Sequence, residues 1–132
     1  VYQVLKNGGL NFLQNISSLP RDFSGTIGSA DIHISPDGKF LYCSNRGESN
    51  SMGILKIDPQ TGLLTWVGAT STLGKTPRNF NFDPTGKYLL VANQHSDEIV
   101  LFERNKETGL LTDTGKRINV PNPVCIKWIS VK

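Results

Sequence analysis

An internal repeat constrains this chain more strongly than any other feature of its sequence. The segment at 32–47 (IHISPDGKFLYCSNRG) returns at 80–95 (FNFDPTGKYLLVANQH), a shift of 80 − 32 = 48 positions. A second motif, TGLLT, occupies 61–65 and returns at 108–112, a shift of 108 − 61 = 47 positions. Repeats of about 40 to 50 residues are typical of the blades of β-propellers. The sequence therefore predicts successive copies of one blade.

Each copy is predicted to contain four short strands, because runs rich in Ile, Leu, Val and aromatic residues alternate with turns rich in Pro, Gly and Asp. The predicted strands are 31–35, 40–44, 52–57 and 63–70 in the first copy, and 79–83, 88–93, 98–104 and 110–115 in the second. No segment has the sustained period of about 3.6 residues that indicates a helix. The predicted fold class is all-β, with four-stranded antiparallel sheets forming a partial β-propeller of about two and a half to three blades.

The whole chain is predicted to be a single partial propeller domain. It divides into the end of one blade at 1–16, full blades at 30–70 and 79–115, and the start of a closing blade at 120–132, with its first strand at 124–129. The connection at 17–30 contains proline and glycine and is expected to lack regular structure. Because closed propellers need about four to eight blades, we expect either further blades in a longer parent protein or self-association through exposed blade faces.

Charge and apolar patterning argue against several classes of partner. The chain carries 14 lysines and arginines against 11 acidic residues, and their spread along the sequence argues against nucleic acid. No apolar run approaches the roughly 20 residues of a membrane span, and no signal-peptide pattern opens the sequence, so a cytoplasmic protein is expected. Cys43 and Cys125 form no CxxC pair and lie in apolar segments, which predicts two buried free thiols. Neither a metal nor an organic cofactor is expected, because no histidine cluster or phosphate-binding glycine loop is present.

Cationic side chains mark one rim of the predicted propeller. The loops between second and third strands and the loops between blades open on the same rim, and Arg46, Lys75 and Arg78 fall in or beside them. Guanidinium offers a fixed fork of donors to carboxylate or phosphate, so these residues are candidate anion binders. The alternative for Arg46 is an ordinary ion pair with Glu48 or Asp31, and the alternative for Lys75 is plain solvent exposure.

Asparagine and histidine complete the set of candidates. Asn45 and Asn93 hold equivalent positions at strand ends, where asparagine often satisfies backbone groups. His95 is titratable and lies on a loop, although no serine or carboxylate stands at a suggestive spacing. His33 lies inside a strand and is expected to be packed. The aromatic residues of the strands are expected in the core: Trp66, Phe80, Phe82, Phe102 and Trp128.

Longer segments carry a family resemblance. SPDGKFLYCSNRG (35–47), TPRNFNFDPTGKYLLVANQ (76–94), SSLPRDFSG (17–25) and VPNPVCIKW (120–128) resemble the bacterial lactonase family of seven-bladed propellers, which includes 6-phosphogluconolactonases. The resemblance implies the last two and a fraction blades of a sugar-lactone hydrolase of the pentose phosphate pathway, with a phosphorylated sugar lactone as its substrate. The 132-residue chain alone is then expected to be inactive.

The same resemblance ranks the candidate residues. A fungal muconate-lactonising enzyme related in fold has a proposed active-site arginine in a comparable strand-end loop. This implies Arg46 as the catalytic residue, stabilising an oxyanion or holding the substrate phosphate. The resemblance places Arg78 second, and the acid and base groups are implied to lie upstream of this chain. The expected substrate-binding residues are Arg78 and, from their place on or beside the rim, Asn45, Lys75 and His95. Two alternatives stay open: a non-enzymatic binding scaffold, because fold does not fix function, and a lactonising cycloisomerase.

Overall fold

The described part of the chain, residues 1–129 of a computed structural model, contains ten strands. They are β1 (Tyr2–Val4), β2 (Leu10–Phe12), β3 (Ile27–Ile34), β4 (Phe40–Gly47), β5 (Ser51–Ile57), β6 (Leu64–Ser71), β7 (Pro77–Phe82), β8 (Tyr88–Asn93), β9 (Glu98–Arg104) and β10 (Leu111–Asn119). The described residues contain no α-helix and one turn of 3-10 helix, Gln94–Ser96. The all-β prediction is confirmed.

The strands form two four-stranded antiparallel sheets and one short hairpin. The first sheet has the order β3-β4-β5-β6, the second has the order β7-β8-β9-β10 in chain sequence, and β1 pairs with β2. Each four-stranded sheet is one blade, and β7 of the second blade packs against β3 and β4 of the first. The hairpin is tied to the edge strand β6, because the Gln14 amide both donates to and accepts from the backbone of Leu64 at 2.8 Å. The predicted partial propeller is confirmed.

The core lies between the two blades, where alternate residues of each strand point inward. Edge-to-face ring contacts join the sheets. The ring centroids of Tyr42 and Phe82 are 5.2 Å apart, and those of the half-buried His33 and Phe80 are 4.8 Å apart. The buried apolar residues of this layer are Phe40, Tyr42, Met52, Ile54, Phe80, Phe82, Leu89, Val91, Val100, Phe102 and Leu111.

The burial predictions are confirmed for some residues and wrong for others. Phe80, Phe82 and Phe102 are buried, but Trp66 is only half-buried and Trp128 is 47% exposed. Cys43 is buried, which raises the pKa of its thiol to about 11, whereas Cys125 is an exposed free thiol. The residues that were wrongly predicted to be buried, Trp128 and Cys125, lie in the segment after β10, over which the described residues place no further sheet.

The differences from the predicted elements include two strand boundaries and one missing strand. β3 begins at Ile27, inside the stretch expected to be irregular, because residues 27–29 pair with residues 45–47 of β4. β10 continues to Asn119 because residues 117–119 pair with β9. The strand predicted at 124–129 is absent, since no described strand lies beside it to form a ladder.

The segment at 124–129 is nevertheless docked where the first strand of a next blade would lie. Ile126 packs against Leu90 and Ala92, and its N–H donates to Asn79 Oδ1 at 2.7 Å. Asp31 binds the following blade in the same way, because its Oδ2 accepts from the Asn79 amide at 2.5 Å and from the Phe80 N–H at 3.3 Å. One polar position in the first strand of each blade therefore holds the next blade.

A buried ion pair joins the two blades at the rim formed by the tight turns. Arg104 of β9 donates from Nη2 to Asp37 Oδ2 at 2.8 Å and from Nε to the Gly86 carbonyl at 2.9 Å. Its side chain is 1% exposed, against 27% for Asp37. Partial burial alone would raise the pKa of Asp37, but hydrogen bonds from Arg104 and Ser35 outweigh burial and hold that pKa well below its usual value.

Gly53 allows an irregular segment to cross the first blade. A Cβ at Gly53 of β5 would collide with the backbone carbonyl of Ser18, and this carbonyl is also held by the Asn45 amide at 3.0 Å. We expect Gly53→Ala to lower the free energy of unfolding by about 1–3 kcal/mol, the cost of overpacking, as measured by urea denaturation.

Gly68→Ala is the matched control for this substitution. Gly68 lies in the neighbouring strand β6, where an added Cβ would meet only Leu110 Cδ2 at 4.0 Å, an ordinary contact. Its unfolding midpoint should stay close to that of the unmodified chain. Equal decreases in the free energy of unfolding of the two variants would contradict the steric explanation. They would indicate a general effect of replacing glycine in these strands.

Candidate functional site

Hydrogen bonds link four successive loops along one rim. Thr76 N donates to Asn50 Oδ1 at 2.8 Å, which joins the β6–β7 loop to the β4–β5 loop. Lys75 N donates to Ser96 Oγ at 2.7 Å, and Asn122 N donates to Asp97 Oδ1 at 2.9 Å. Each contact links one loop to the next. The loops that carry or adjoin the candidate residues thus form one continuous rim.

Backbone strain is concentrated on this rim. Among residues 1–129, five residues other than glycine have positive φ, at 38° to 58°, and all lie in the loops of this rim: Asn50, Leu73, Thr76, Asp97 and Asn122. The tight turns of the opposite rim instead place glycine at positive φ: Gly38, Gly62, Gly86 and Gly109. A non-glycine residue in this region costs on the order of 1–3 kcal/mol, and such residues cluster at functional sites. The strain therefore distinguishes the loop rim as the candidate functional face.

Two of the predicted site residues meet in one concavity of about 160 Å³. Its lining consists of Ser29, Ala30, Arg46 and Arg78. Arg46 comes from the end of β4 and Arg78 from the start of β7, so the concavity lies where the two blades adjoin. The described residues contribute two guanidinium groups and no carboxylate to its lining, which makes it a place for an anion.

The guanidinium of Arg46 is held in place by the backbone of β3. Its Nε donates to the Gly28 carbonyl at 3.4 Å, and its Nη2 donates to the Ser29 carbonyl at 3.3 Å. The ion pair considered from the sequence is not formed: the carboxylate of Glu48 accepts from Thr26 Oγ1, and Asp31 is engaged between the blades. Arg46 therefore keeps its charge unneutralised at the edge of the concavity.

Arg78 reaches the concavity through a β-bulge. Pro77 pairs with Asn93 and Asn79 pairs with Ala92, so Arg78 is an extra residue without a partner in β8. A bulge re-aims a side chain and is frequent next to functional sites. The first blade has a bulge at the equivalent place, between Ser29 and Ile32, and Ala30 there also lines the concavity.

Asn45 lies beneath the site rather than in it. Its side chain is fully buried, accepting from Ser18 Oγ at 2.8 Å and donating to the Ser18 carbonyl at 3.0 Å. The equivalent Asn93 donates to the Thr72 carbonyl at 2.9 Å. Asn45 thus anchors the strand end that carries Arg46. The side chain of Asn45 does not line the concavity, and its predicted role in substrate binding stays a prediction.

Lys75 and His95 lie together on the rim but outside the lining of the concavity. His95 N donates to the Lys75 carbonyl at 3.1 Å, and the ring Nδ1 is 2.9 Å from Thr76 Oγ1. Both side chains are exposed. Their side chains therefore lie beside the concavity and do not form its wall.

The carbonyls of Gly28 and Ser29 and the bulge position Ala30 are not among the residues predicted for the site. The carbonyls carry no side-chain signal. Ala30 could have been found by extending the repeat backwards, because the shift of 48 that relates the two copies places it opposite Arg78. Within the described residues no group of three or more His, Cys, Asp or Glu could hold a metal ion. No helix in that part of the chain is long and apolar enough to cross a membrane.

The fold and the arginine-lined concavity define the chain as part of a β-propeller with a cationic site on its loop rim. Residues 1–128 match the family model described as "Lactonase, 7-bladed beta-propeller", and the chain belongs to this family. The family resemblance seen in the sequence is confirmed.

Named relatives agree with this family. The chain is 39% identical to a 6-phosphogluconolactonase of Bacillus subtilis over 92% of its own length and 35% of the relative's, and 50% identical to one of Formosa agariphila over 81% and 30%. Its structure is similar to the periplasmic gluconolactonase PpgL of Pseudomonas aeruginosa, with a TM-score of 0.94, 35% identity, and coverage of 99% of this chain and 36% of that one. The chain spans about a third of the length of these relatives.

Proposed function

We propose that this chain is the carboxy-terminal part of a 6-phosphogluconolactonase, which hydrolyses the lactone of 6-phosphogluconic acid in the pentose phosphate pathway. The observation that carries the proposal is the pairing of Arg46 and Arg78 in one concavity to which the described residues add no carboxylate. A phosphorylated lactone presents a negative phosphate and develops a further negative charge on its carbonyl oxygen when water attacks. The relatives named as 6-phosphogluconolactonases support this substrate class.

Arg46 is the proposed catalytic residue. Attack of water on the lactone carbonyl forms a tetrahedral oxyanion, and a preorganised cation at that oxygen lowers the barrier because it needs no reorganisation. The two backbone carbonyls that hold the guanidinium of Arg46 provide this preorganisation. Arg78, Asn45, Lys75 and His95 are the proposed substrate-binding and positioning residues.

A general base is the missing component of this site. No histidine, aspartate or glutamate lines the concavity formed by the described residues. We assign the base that activates water to the remaining two thirds of the propeller, and the 132-residue chain alone is accordingly inactive. Because the substrate is a sugar phosphate, we assign the protein to the cytoplasm.

Lactone hydrolysis provides the test. The full-length protein that carries this sequence should hydrolyse 6-phosphoglucono-lactone faster than the spontaneous reaction, followed as proton release in a weakly buffered solution. The 132-residue chain alone should leave the spontaneous rate unchanged. Absence of acceleration by the full-length protein would contradict the proposal.

One structural neighbour supports a second candidate substrate. PpgL is described as a periplasmic gluconolactonase, so unphosphorylated glucono-lactone is the competing substrate and the periplasm the competing compartment. The same assay with glucono-lactone separates the two candidates, because a 6-phosphogluconolactonase should have the higher kcat/KM for the phosphorylated lactone.

A further inference from the structure

We propose that Arg78 is the specificity-determining residue that recognises the phosphate group of the substrate, and that the bulge in β7 is the structural device that directs it there. This inference rests on the proposed function, because it assigns one part of that substrate to one residue. Arg46, in contrast, is assigned to the lactone carbonyl and not to the phosphate.

The bulge in β7 sets the direction of the Arg78 side chain. In a regular strand, successive side chains alternate between the two faces, and an extra residue breaks this alternation and turns one side chain aside. The two blades both have a bulge at this place in their first strand, and both bulges contribute to the lining of the same concavity. The first blade contributes the small Ala30, which leaves room, and the second contributes Arg78, which brings charge.

The side chain of Arg78 is available to a ligand. Arg78 is exposed, and the ion pairs and hydrogen bonds of the described residues do not engage its guanidinium. All five donors of the group remain available. A phosphate monoester carries about −1.5 to −2 charges at neutral pH and accepts paired hydrogen bonds from a guanidinium fork. An unengaged arginine on a bulge suits this mobile, strongly charged end of a sugar phosphate.

The side chain of Arg46 differs from that of Arg78 in its contacts and its burial. Two donors of Arg46 are already committed to the carbonyls of Gly28 and Ser29, and its side chain is half-buried. A cation fixed in this way is suited to an oxygen whose position must be reproduced closely in the transition state. The concavity therefore has one fixed and one free guanidinium, which fit the carbonyl end and the phosphate end of the same substrate.

The first test is binding, because it does not depend on turnover. The full-length protein is titrated by calorimetry with 6-phosphogluconate and with gluconate. Arg78→Gln should weaken binding of 6-phosphogluconate by about 10- to 100-fold, the usual effect of losing a charge-assisted bidentate contact, and should leave gluconate binding within about twofold. Arg78→Lys should give an intermediate loss, because lysine keeps the charge without the fork.

Controls and outcomes then separate this inference from the proposed function. Arg21→Gln removes an exposed arginine that does not line the concavity, and it should bind 6-phosphogluconate like the unmodified protein. Thermal unfolding checks that each variant is folded. If Arg78→Gln does not fold, the affinity of Arg78→Lys for 6-phosphogluconate tests the assignment of Arg78. Equal affinity for the two ligands in the unmodified protein, or an undiminished preference in Arg78→Gln and Arg78→Lys, would overturn the assignment of Arg78. Phosphate-dependent binding without lactone hydrolysis would support Arg78 and contradict the proposed function alone.

Discussion

Asp37→Asn is expected to lower the free energy of unfolding by about 3 kcal/mol, because breaking one partner of a buried ion pair leaves the other charge uncompensated. The Arg104 side chain is 1% exposed, and its closest compensating charge is the carboxylate of Asp37. After the substitution its guanidinium retains the Gly86 carbonyl and the face of Phe82, 5.7 Å from the ring centroid. Urea denaturation of the 132-residue chain measures the change.

Asp113→Asn is the matched control for this prediction. Asp113 forms an ion pair of the same length, 2.8 Å, with Arg117, but its side chain is 38% exposed and the pair lies within one strand. Its loss should change the unfolding midpoint little, because exposed pairs are screened by water. A similar loss in both variants would mean that burial does not determine the contribution of the pair between the blades.

The stabilisation that the Asp37 carboxylate contributes decreases as the pH falls. The folded-state pKa of Asp37 is depressed, so the contribution of Asp37 is fully present above its unfolded pKa of about 3.9 and is lost as the pH falls through the lower folded pKa. The stability difference between the unmodified chain and Asp37→Asn should therefore shrink as the pH falls below about 4. A difference that stays constant down to pH 2 would show that the carboxylate charge is not what stabilises the pair.

The repeat explains why the fold could be predicted. Blade identity depends on local signals, such as the turn at 36–39 and its copy at 84–87, and these specify strand ends without knowledge of long-range contacts. The placement of Arg46 and Arg78 on one rim followed from blade topology alone. Strand bounds were predicted less well where pairing decided them, as at Ile27, whose position in β3 depends on Gly47 of β4.

The geometry within the site could not be predicted, because it depends on register and on contacts distant in sequence. The bulge that turns Arg78 toward Arg46 is a shift of one residue between β7 and β8, and alternation of apolar residues does not reveal it. The pair between Asp37 and Arg104 joins residues 67 positions apart in different blades. Exposure of Cys125 likewise depends on which strands pack over the segment after β10.

Arg46→Gln in the full-length protein is expected to reduce kcat for 6-phosphoglucono-lactone by about 10²- to 10³-fold, the usual effect of removing one oxyanion-stabilising donor. The substitution is conservative for the fold, because Gln94 stands at the equivalent place after Asn93 in the second blade. The hydrogen bonds of Arg46 to Gly28 and Ser29 are long, at 3.4 and 3.3 Å, so we expect a loss of stability below about 1 kcal/mol. Steady-state kinetics and thermal unfolding on the same preparations measure the two quantities.

The division between kcat and KM then distinguishes the two arginines. Arg46→Gln should lower kcat for phosphorylated and unphosphorylated lactones alike, because the developing oxyanion is common to both substrates. Arg78→Gln should chiefly raise KM, and only for the phosphorylated lactone, because it removes binding that the ground state and the transition state share. Retention of kcat within about threefold in Arg46→Gln, in a folded protein, would rule out oxyanion stabilisation, since losing that interaction costs at least about 10²-fold. Arg46 would then be a residue that shapes the concavity by holding β3 against β4.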